Sequence, residues 1–361
     1  MTSEPDPKRA ALKAMLLLAS VALAAVFIAR GAAPEAAVPP PLQWAFIDKS
    51  GAQPIARHFA WAGEFGQGLA PVEDAESGRY GFVDKSGKWI LPARFLGAKE
   101  GFREERAPVE TAPGKWQFVD RGGTLYGPAA GSDDVLAFHE SLAAVRLGEN
   151  WGYLDRAGRI VIQLGRDHVG SDFANGVAPF RDGSKMGFMN RQGRPVIPAQ
   201  FDAVFGFSGD LAPVELGGKW GYIDIKGKLV IAPQFADARG FHDGIARVAE
   251  TSAGGWAFIG KTGKIIAAAR YDEAEDFHGD RAQVALRPDG ALRWGFIDGS
   301  GAMAIAPRFA FSRPFSEGLA GVDGGFIDRS GKLVIAKRFA ETGDFSEGLA
   351  PVAEIASRSQ R

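Results

Sequence analysis

From Trp44 onward one pattern recurs, and it narrows the possible folds more than any other feature of the chain. Its clearest part reads Trp-Gly-Phe-Ile-Asp-x-x-Gly-Lys. Copies begin at Trp44, Tyr80, Trp116, Trp151, Met186, Trp220, Trp256, Trp294 and Gly324, with spacings of 36, 36, 35, 35, 34, 36, 38 and 30 residues. A period of this size marks stacked supersecondary units, none of which buries its apolar face alone. Length therefore stops being a guide to domain count, because 361 residues can be reached by adding units.

Each copy reads as β structure. The third position is aromatic throughout: Phe46, Phe82, Phe118, Tyr153, Phe188, Tyr222, Phe258, Phe296 and Phe326. The fourth is apolar throughout, from Ile47 and Val83 to Ile297 and Ile327. Neighbouring residues of a strand point to opposite faces, so both faces are apolar, as in a strand packed between two others. The second position is small except at Gln117, which leaves room for an adjacent ring. The Asp-x-x-Gly step, as in Asp48–Gly51 or Asp84–Gly87, is a turn. Asp accepts hydrogen bonds from nearby amides, and Gly tolerates positive φ. A second strand follows, such as Trp89-Ile90-Leu91 or Leu229-Val230-Ile231, closed by Pro92, Pro198, Pro233 or Pro307. A third block, Phe-x-Glu-Gly-Leu-Ala-Pro-Val, recurs at Phe65, Phe102, Phe207, Phe315 and Phe345, and its proline suits an edge strand. Each unit is thus expected to be a three-stranded antiparallel meander. Gly127–Val135, Asn190 and Gly260 depart from the pattern, so the third, fifth and seventh units are expected to pack least well.

The motifs WAFIDKSG, YGFVDKSGKWILP, WGYIDIKGKLVIAP and WGFIDGSG resemble the WG-repeat family, also called KWG repeats, of bacterial proteins. The resemblance spans Trp44 to Val352. It implies an all-β repeat scaffold and little about activity, since the scaffold and not a reaction defines the family.

The expected architecture is an all-β tandem array of about nine three-stranded repeats, open, curved and solenoid-like. The array starts at a Trp44 strand with no Leu-Ala-Pro-Val before it, and ends at Leu349-Ala350-Pro351-Val352 with no Trp-Gly-Phe-Ile-Asp after it. Those halves would complete one unit if they met, so a closed propeller-like ring is the alternative. The spacing that wanders from 30 to 38 argues for the open form.

Ahead of the array, residues 1–13 form a basic segment with Lys8, Arg9 and Lys13. Residues 14–29 are uncharged and read as one hydrophobic helix, a signal anchor or a signal peptide. Residues 30–43 form a Pro/Ala-rich linker, residues 44–352 the array, and residues 353–361 a polar tail. Positive charge before the apolar run predicts a cytoplasmic N-terminus and a translocated array. The anchor reading, single-pass in the inner membrane with the array in the periplasm or outside the cell, is preferred. A cleaved signal, with cuts after Ala24 or Gly31, gives a secreted or periplasmic protein instead.

Net charge is −1, with 42 Lys and Arg against 43 Asp and Glu, so no global field points to nucleic acid. The absence of cysteine excludes disulfides, thiolate metal sites and a cysteine nucleophile. No catalytic motif is present. Gly63, Gly66 and Gly68 belong to the repeat's own turn and not to a phosphate cradle. The histidines His58, His139, His168, His242 and His278 read as surface-turn residues. His242 and His278 fall in consecutive units but supply only half of a metal site. Arg94, Arg270, Arg308 and Arg338 each precede an aromatic, and read as partners of Glu317, Glu347 and the turn aspartates rather than as a ladder for a polyanion. The expected function is a non-catalytic binding or assembly scaffold on the outer side of a membrane, without cofactor. Its partner would be a protein or a cell-envelope polymer, and binding would fall to the variable loops Glu73–Arg79, Glu110–Lys115, Ala249–Gly255 and Ala285–Arg293. The alternative is a hydrolase of envelope polymer using Glu100 and Glu104.

Overall fold

The structure is a computed structural model and describes residues 42–355, apart from 167, 169, 252 and 253. The expected helix at 14–29, linker residues 30–41 and tail residues 356–361 lie outside the described residues. Within them the chain is all-β, with nine small antiparallel sheets, six of four strands and three of three. The sheets follow one another around a ring in a nine-bladed, propeller-like arrangement.

Each sheet joins the end of one sequence unit to the start of the next. In the second sheet the order is Trp61–Ala62, Leu69–Glu73, Tyr80–Asp84 and Trp89–Phe95. The three long strands lie where the sequence predicts, but the last does not end at Pro92: it runs on to Phe95, which pairs with Tyr80 beyond a bulge. The short first strand was not legible, because it is two residues long and has no apolar alternation of its own. The Leu-Ala-Pro-Val strand is therefore internal here, as it is in every sheet except the two in which Val177–Asp182 and Leu319–Val322 stand at the edge. Its proline is tolerated because the short strand has ended at that level. Pro71 carbonyl accepts from Gly63 N–H at 2.9 Å, and on that side no ladder asks for a donor in return.

The ring is closed, and this corrects the expected open array. Leu42–Asp48 pairs antiparallel with Leu349–Ile355 along its whole length, with Ala45 opposite Val352 and Ile47 opposite Ala350. The half-units at the two ends thus complete one sheet and hide both edges. The uneven spacing does not oppose closure, because hairpins at one rim absorb it. The 38-residue unit loops out between Leu286 and Arg293, whereas the 30-residue unit turns directly from Val322 to Gly325.

The core is divided into layers between neighbouring sheets. All nine aromatics of the third position are buried, none more than 1% exposed. Each meets the third-block phenylalanine of its own sequence unit, which the following sheet carries, at a ring-centroid distance between 4.6 Å (Phe118–Phe138) and 5.5 Å (Phe258–Phe277). Phe326–Phe345 at 5.1 Å and Phe46–Phe65 at 4.9 Å carry the series across the join. Ala45 and Ile47 face one neighbouring sheet while Phe46 faces the other, as strand alternation requires. The third, fifth and seventh units share this packing, since Phe118, Phe188 and Phe258 are fully buried. Asn190 accepts the same turn hydrogen bonds as the aspartates, and Gly260 closes its turn with backbone alone.

The small second position makes room for backbone, and at Gly81 for the Trp89 ring as well, 2.6 Å from an added Cβ. A Cβ on Gly81 would lie 2.5 Å from the Leu91 carbonyl oxygen, where the next strand bulges inward. Gln117 fits because that strand is reduced to Leu125–Tyr126 in its sheet, and its amide donates to the Pro128 carbonyl at 3.0 Å instead.

Candidate functional site

Two series of hydrogen bonds tie the ring together and consume recurring charged residues that a sequence reading leaves free for binding. The first starts at the Glu of Phe-x-Glu-Gly. Glu347 and Gly348 both adopt positive φ, 53° and 89°, in a two-residue hairpin closed by reciprocal bonds between Ser346 and Leu349. This turn aims the Glu347 carboxylate at the Gly68 N–H of the next sheet, at 3.0 Å. Glu317 binds Gly348 N–H, Glu104 binds Ser141 N–H and Glu140 binds Gly176 N–H in the same way. Lys85 and Lys49 then pair with Glu347 and Glu317, each at 3.0 Å. Burial opposes ionisation of Glu317 and Glu347, but the lysines and amides outweigh it and hold both carboxyls below the usual range.

The second series uses the arginines that precede aromatics. Arg94, Arg308 and Arg338 donate to the carbonyls of Gly123, Gly331 and Gly51 in the following turn, at 2.8, 2.6 and 2.7 Å. Each also lies over its own aromatic ring, at about 5 Å. Arg270 lies over Tyr271 and donates to its hydroxyl. The role is structural, as expected, but the partners differ. The series binds backbone carbonyls, while the turn aspartates accept from their own turns, as Asp48 does from Ser50 and Ala52.

A cavity of 510 Å³ lies where equivalent segments of four consecutive sheets converge: Arg313, Glu341–Ser346, Trp61–Gly66 and Lys99–Arg103. Successive members of a ring can face one common space only on its inner side, so the short-strand edges line the interior. Arg313 confirms the geometry. Its guanidinium binds Asp344 of the next sheet at 2.6 Å and reaches Glu64 of the sheet beyond at 3.5 Å. Burial disfavours the charge on Arg313, yet Asp344 and Glu64 raise its pKa. Glu64 is itself raised, by burial first and by the charge of Asp344 second. Burial likewise raises Glu100, against the pull of Arg103, His139 and Lys99.

Further along the inner edge, Arg103 lies 2.7 Å from His139 Nε2, which is 3.4 Å from Asp172. Arg247, which stands where other units have the proline, binds Asp276 at 2.8 Å and Glu275 at 3.1 Å, and His242 faces the same Asp276 at 3.5 Å. The structure therefore gives His242 a carboxylate neighbour in the next sheet. His58 sits 3.4 Å from Gln53, and His168 accepts the Arg181 N–H. Among the described residues no three His, Asp or Glu side chains gather as a metal site would need.

The carboxylates of the hydrolase alternative have separate roles. Glu104 is committed to Ser141, while Glu100 lines the cavity. Gly66 meets the Phe102 backbone of the next sheet, where a Cβ would lie 2.6 Å from its carbonyl oxygen, so this glycine serves packing. Sequence reasoning missed Glu64, Arg313, Glu341 and Asp344. They come together only because the ring closes. Their one signal in the sequence is charge near the Phe of the third block, in only some of the units.

The family model for the WG containing repeat matches residues 80–116, 151–185, 186–220, 220–250, 256–286, 294–323 and 325–354. No curated protein matches the chain. Among solved structures, BamB from Moraxella catarrhalis is 13% identical with a TM-score of 0.41, over 81% of this chain and 96% of that one. Kluyveromyces lactis Hsv2 is 10% identical with a TM-score of 0.38, over 66% and 96%. A streptogramin B lyase is 13% identical with a TM-score of 0.33, over 87% and 98%. With seven matches spread over most of its length, the chain belongs to the WG containing repeat family.

Proposed function

We propose that the protein is a non-catalytic binding scaffold, held on the outer side of a membrane by residues 14–29 and presenting its ring to a protein or envelope polymer. One observation carries the binding reading. The recurring charges are spent between sheets, whereas the loops that differ from unit to unit share one rim. Those loops join the first and second of the three long strands of a sheet, as at Asp74–Arg79 and Arg287–Ala291. The uniform Asp-x-x-Gly turns lie at the opposite strand ends. Repeat arrays place binding on variable loops over a constant frame. The membrane part rests on Lys8, Arg9 and Lys13 ahead of the apolar run.

Two measurements test this. The tagged full chain, incubated with envelope extract, should retain a specific partner. A variant with Asp74–Arg79 and Arg287–Ala291 replaced by two-residue Asn-Gly turns should lose it while remaining folded. Equal capture by both proteins would remove the loop reading. A topology reporter fused after Arg361 should be active only outside the cytoplasm, and cytoplasmic activity would overturn the export reading.

A further inference from the structure

We propose that the turns of the fifth, sixth and seventh units form a docking face for an anionic phospholipid surface. The face comprises residues 190–196, 224–230 and 260–265, at the rim opposite the variable loops. Each turn rests on the sheet before it. A Cβ on Gly227 would lie 3.1 Å from Ile197, and one on Gly263 3.4 Å from Ile231, so the three make one continuous surface. Elsewhere on this rim the basic turn residues are engaged. Lys49 and Lys85 pair with the clamps, Arg121 with Glu105 and Arg329 with Asp280. Arg159 pairs with the turn aspartate of its own unit, and Lys88 and Lys332 face theirs. Arg194 and Lys264 have lost that partner, because Asn190 and Gly260 replace it. The acids nearby are Asp224, Asp243, Asp210, which holds Lys261, and Glu140, which is committed to Gly176. Arg191, Arg194, Lys226, Lys228 and Lys264 are left without an ion pair or a side-chain hydrogen bond among the described residues.

A second observation is independent of charge. Val196, Ile225, Leu229, Val230 and Ile265 stand among these cations, each between 43% and 51% exposed. Aliphatic residues recur at the start of the outer strands all round the ring, but Ile225 has no counterpart. The other eight units carry Lys, Arg or Gly at that turn position. Aliphatic surface gains by leaving water, and cations without internal partners attract anions. A lipid interface takes up both at once, the acyl boundary receiving the aliphatics and the phosphates the cations. An acidic polymer would answer the charge alone. The inference rests on the membrane part of the reading above and adds which rim meets the lipid. Leu42 opens its strand at the variable-loop rim. Residues 30–41 can span up to about 40 Å, more than the roughly 23 Å of the strand Leu42–Asp48 between the two rims.

The chain has no cysteine, so a single one can carry a probe. The test uses the full chain as Val230→Cys and, on the variable-loop rim, as Glu76→Cys, each labelled with an environment-sensitive fluorophore. Vesicles contain phosphatidylcholine alone or with phosphatidylglycerol, with and without a spin-labelled lipid. The expected result is a blue shift and quenching of the label at 230 in the anionic vesicles only, weakened by added salt, with the label at 76 unchanged. Adding Arg194→Gln, Lys228→Gln and Lys264→Gln should raise the anionic lipid needed for the same quenching roughly tenfold. A label at 230 that stays in water, or that responds equally to neutral vesicles, overturns the inference. So does an equal response in the triple variant, folded by circular dichroism. A response to envelope protein but to no vesicle overturns it in favour of an acidic protein partner. Failure of export shows in the topology reporter and failure of the loop reading in the capture assay, so neither is mistaken for failure of docking.

Discussion

Ala45 stands opposite Val352 in one antiparallel ladder. The first and last strands of the repeat region therefore belong to the same sheet, and three recurring contacts of the ring are found across that join. The aromatic pair Phe46–Phe65 belongs to a series that runs through every sheet, the carboxylate clamp from Glu347 to Gly68 recurs at Glu104, Glu140 and Glu317, and the arginine bond from Arg338 to Gly51 recurs at Arg94 and Arg308. Closure gives the first and last strands the partners that an open array would leave unpaired.

The layered core predicts a uniform cost for its aromatics. Phe82→Ala, Phe188→Ala or Phe296→Ala should each lower stability by about 3–5 kcal/mol, since all three rings are buried between sheets. Equilibrium denaturation in urea measures it. A loss under about 1 kcal/mol, the range of ordinary surface changes, would contradict the packing.

Clamp residues should act through their acceptor oxygens. Glu347→Ala should cost about 1 kcal/mol, the net worth of a hydrogen bond with partial solvent access. Glu347→Gln keeps one acceptor for Gly68 N–H and should recover part of the loss, although the pair with Lys85 is gone. Thermal melts of the two variants compare them directly. If Gln is no better than Ala, the bond to Gly68 contributes nothing.

Acid should weaken the ring through the same clamps. Glu317 and Glu347 are held below their ordinary pKa in the folded state. Their contribution is therefore complete above the unfolded carboxyl pKa, about 4.3, and is lost as pH falls through the lower folded value. Lysine pairing is part of the cause, so added salt should reduce the contribution at neutral pH. Urea midpoints of wild type and Glu317→Gln with Glu347→Gln should converge as pH drops below about 4. A gap that persists at low pH would argue against ionised clamps.

Glu100 should behave in the opposite sense. Burial raises its pKa, so the folded state binds its proton more tightly than the unfolded chain. Stability is lost as pH rises from the unfolded value to the raised folded one. Glu100→Gln should thus melt higher than wild type at pH 7 and equally at pH 3. A lower melting temperature at pH 7 would mean that the carboxylate is stabilised in its pocket.

What the sequence revealed, and what it hid, follows from how local each feature is. The Asp-x-x-Gly turns, the aromatic row and both faces of its strand were legible, because a turn residue or a period of two encodes each. The clamp at Glu347 was visible as a repeated letter but not as a bond, since its partner Gly68 lies in another sheet at the far end of the chain. The cavity was not legible at all. Glu64, Glu100, Arg313 and Glu341 share a space only after closure. Closure itself depended on whether the length differences lie in the strands or in the loops. The spacings record the total and not its location.

Closure is therefore the claim on which the rest depends, and one crosslink tests it. Gln43 faces Glu354 across the joining ladder, and the chain has no native cysteine. The full chain carrying Gln43→Cys and Glu354→Cys, oxidised while folded and dilute, should form an intramolecular disulfide. It would appear as a faster-migrating monomer on a non-reducing denaturing gel and revert with reductant. Free thiols throughout, or intermolecular dimers alone, would show that the two ends do not meet and that the array is open.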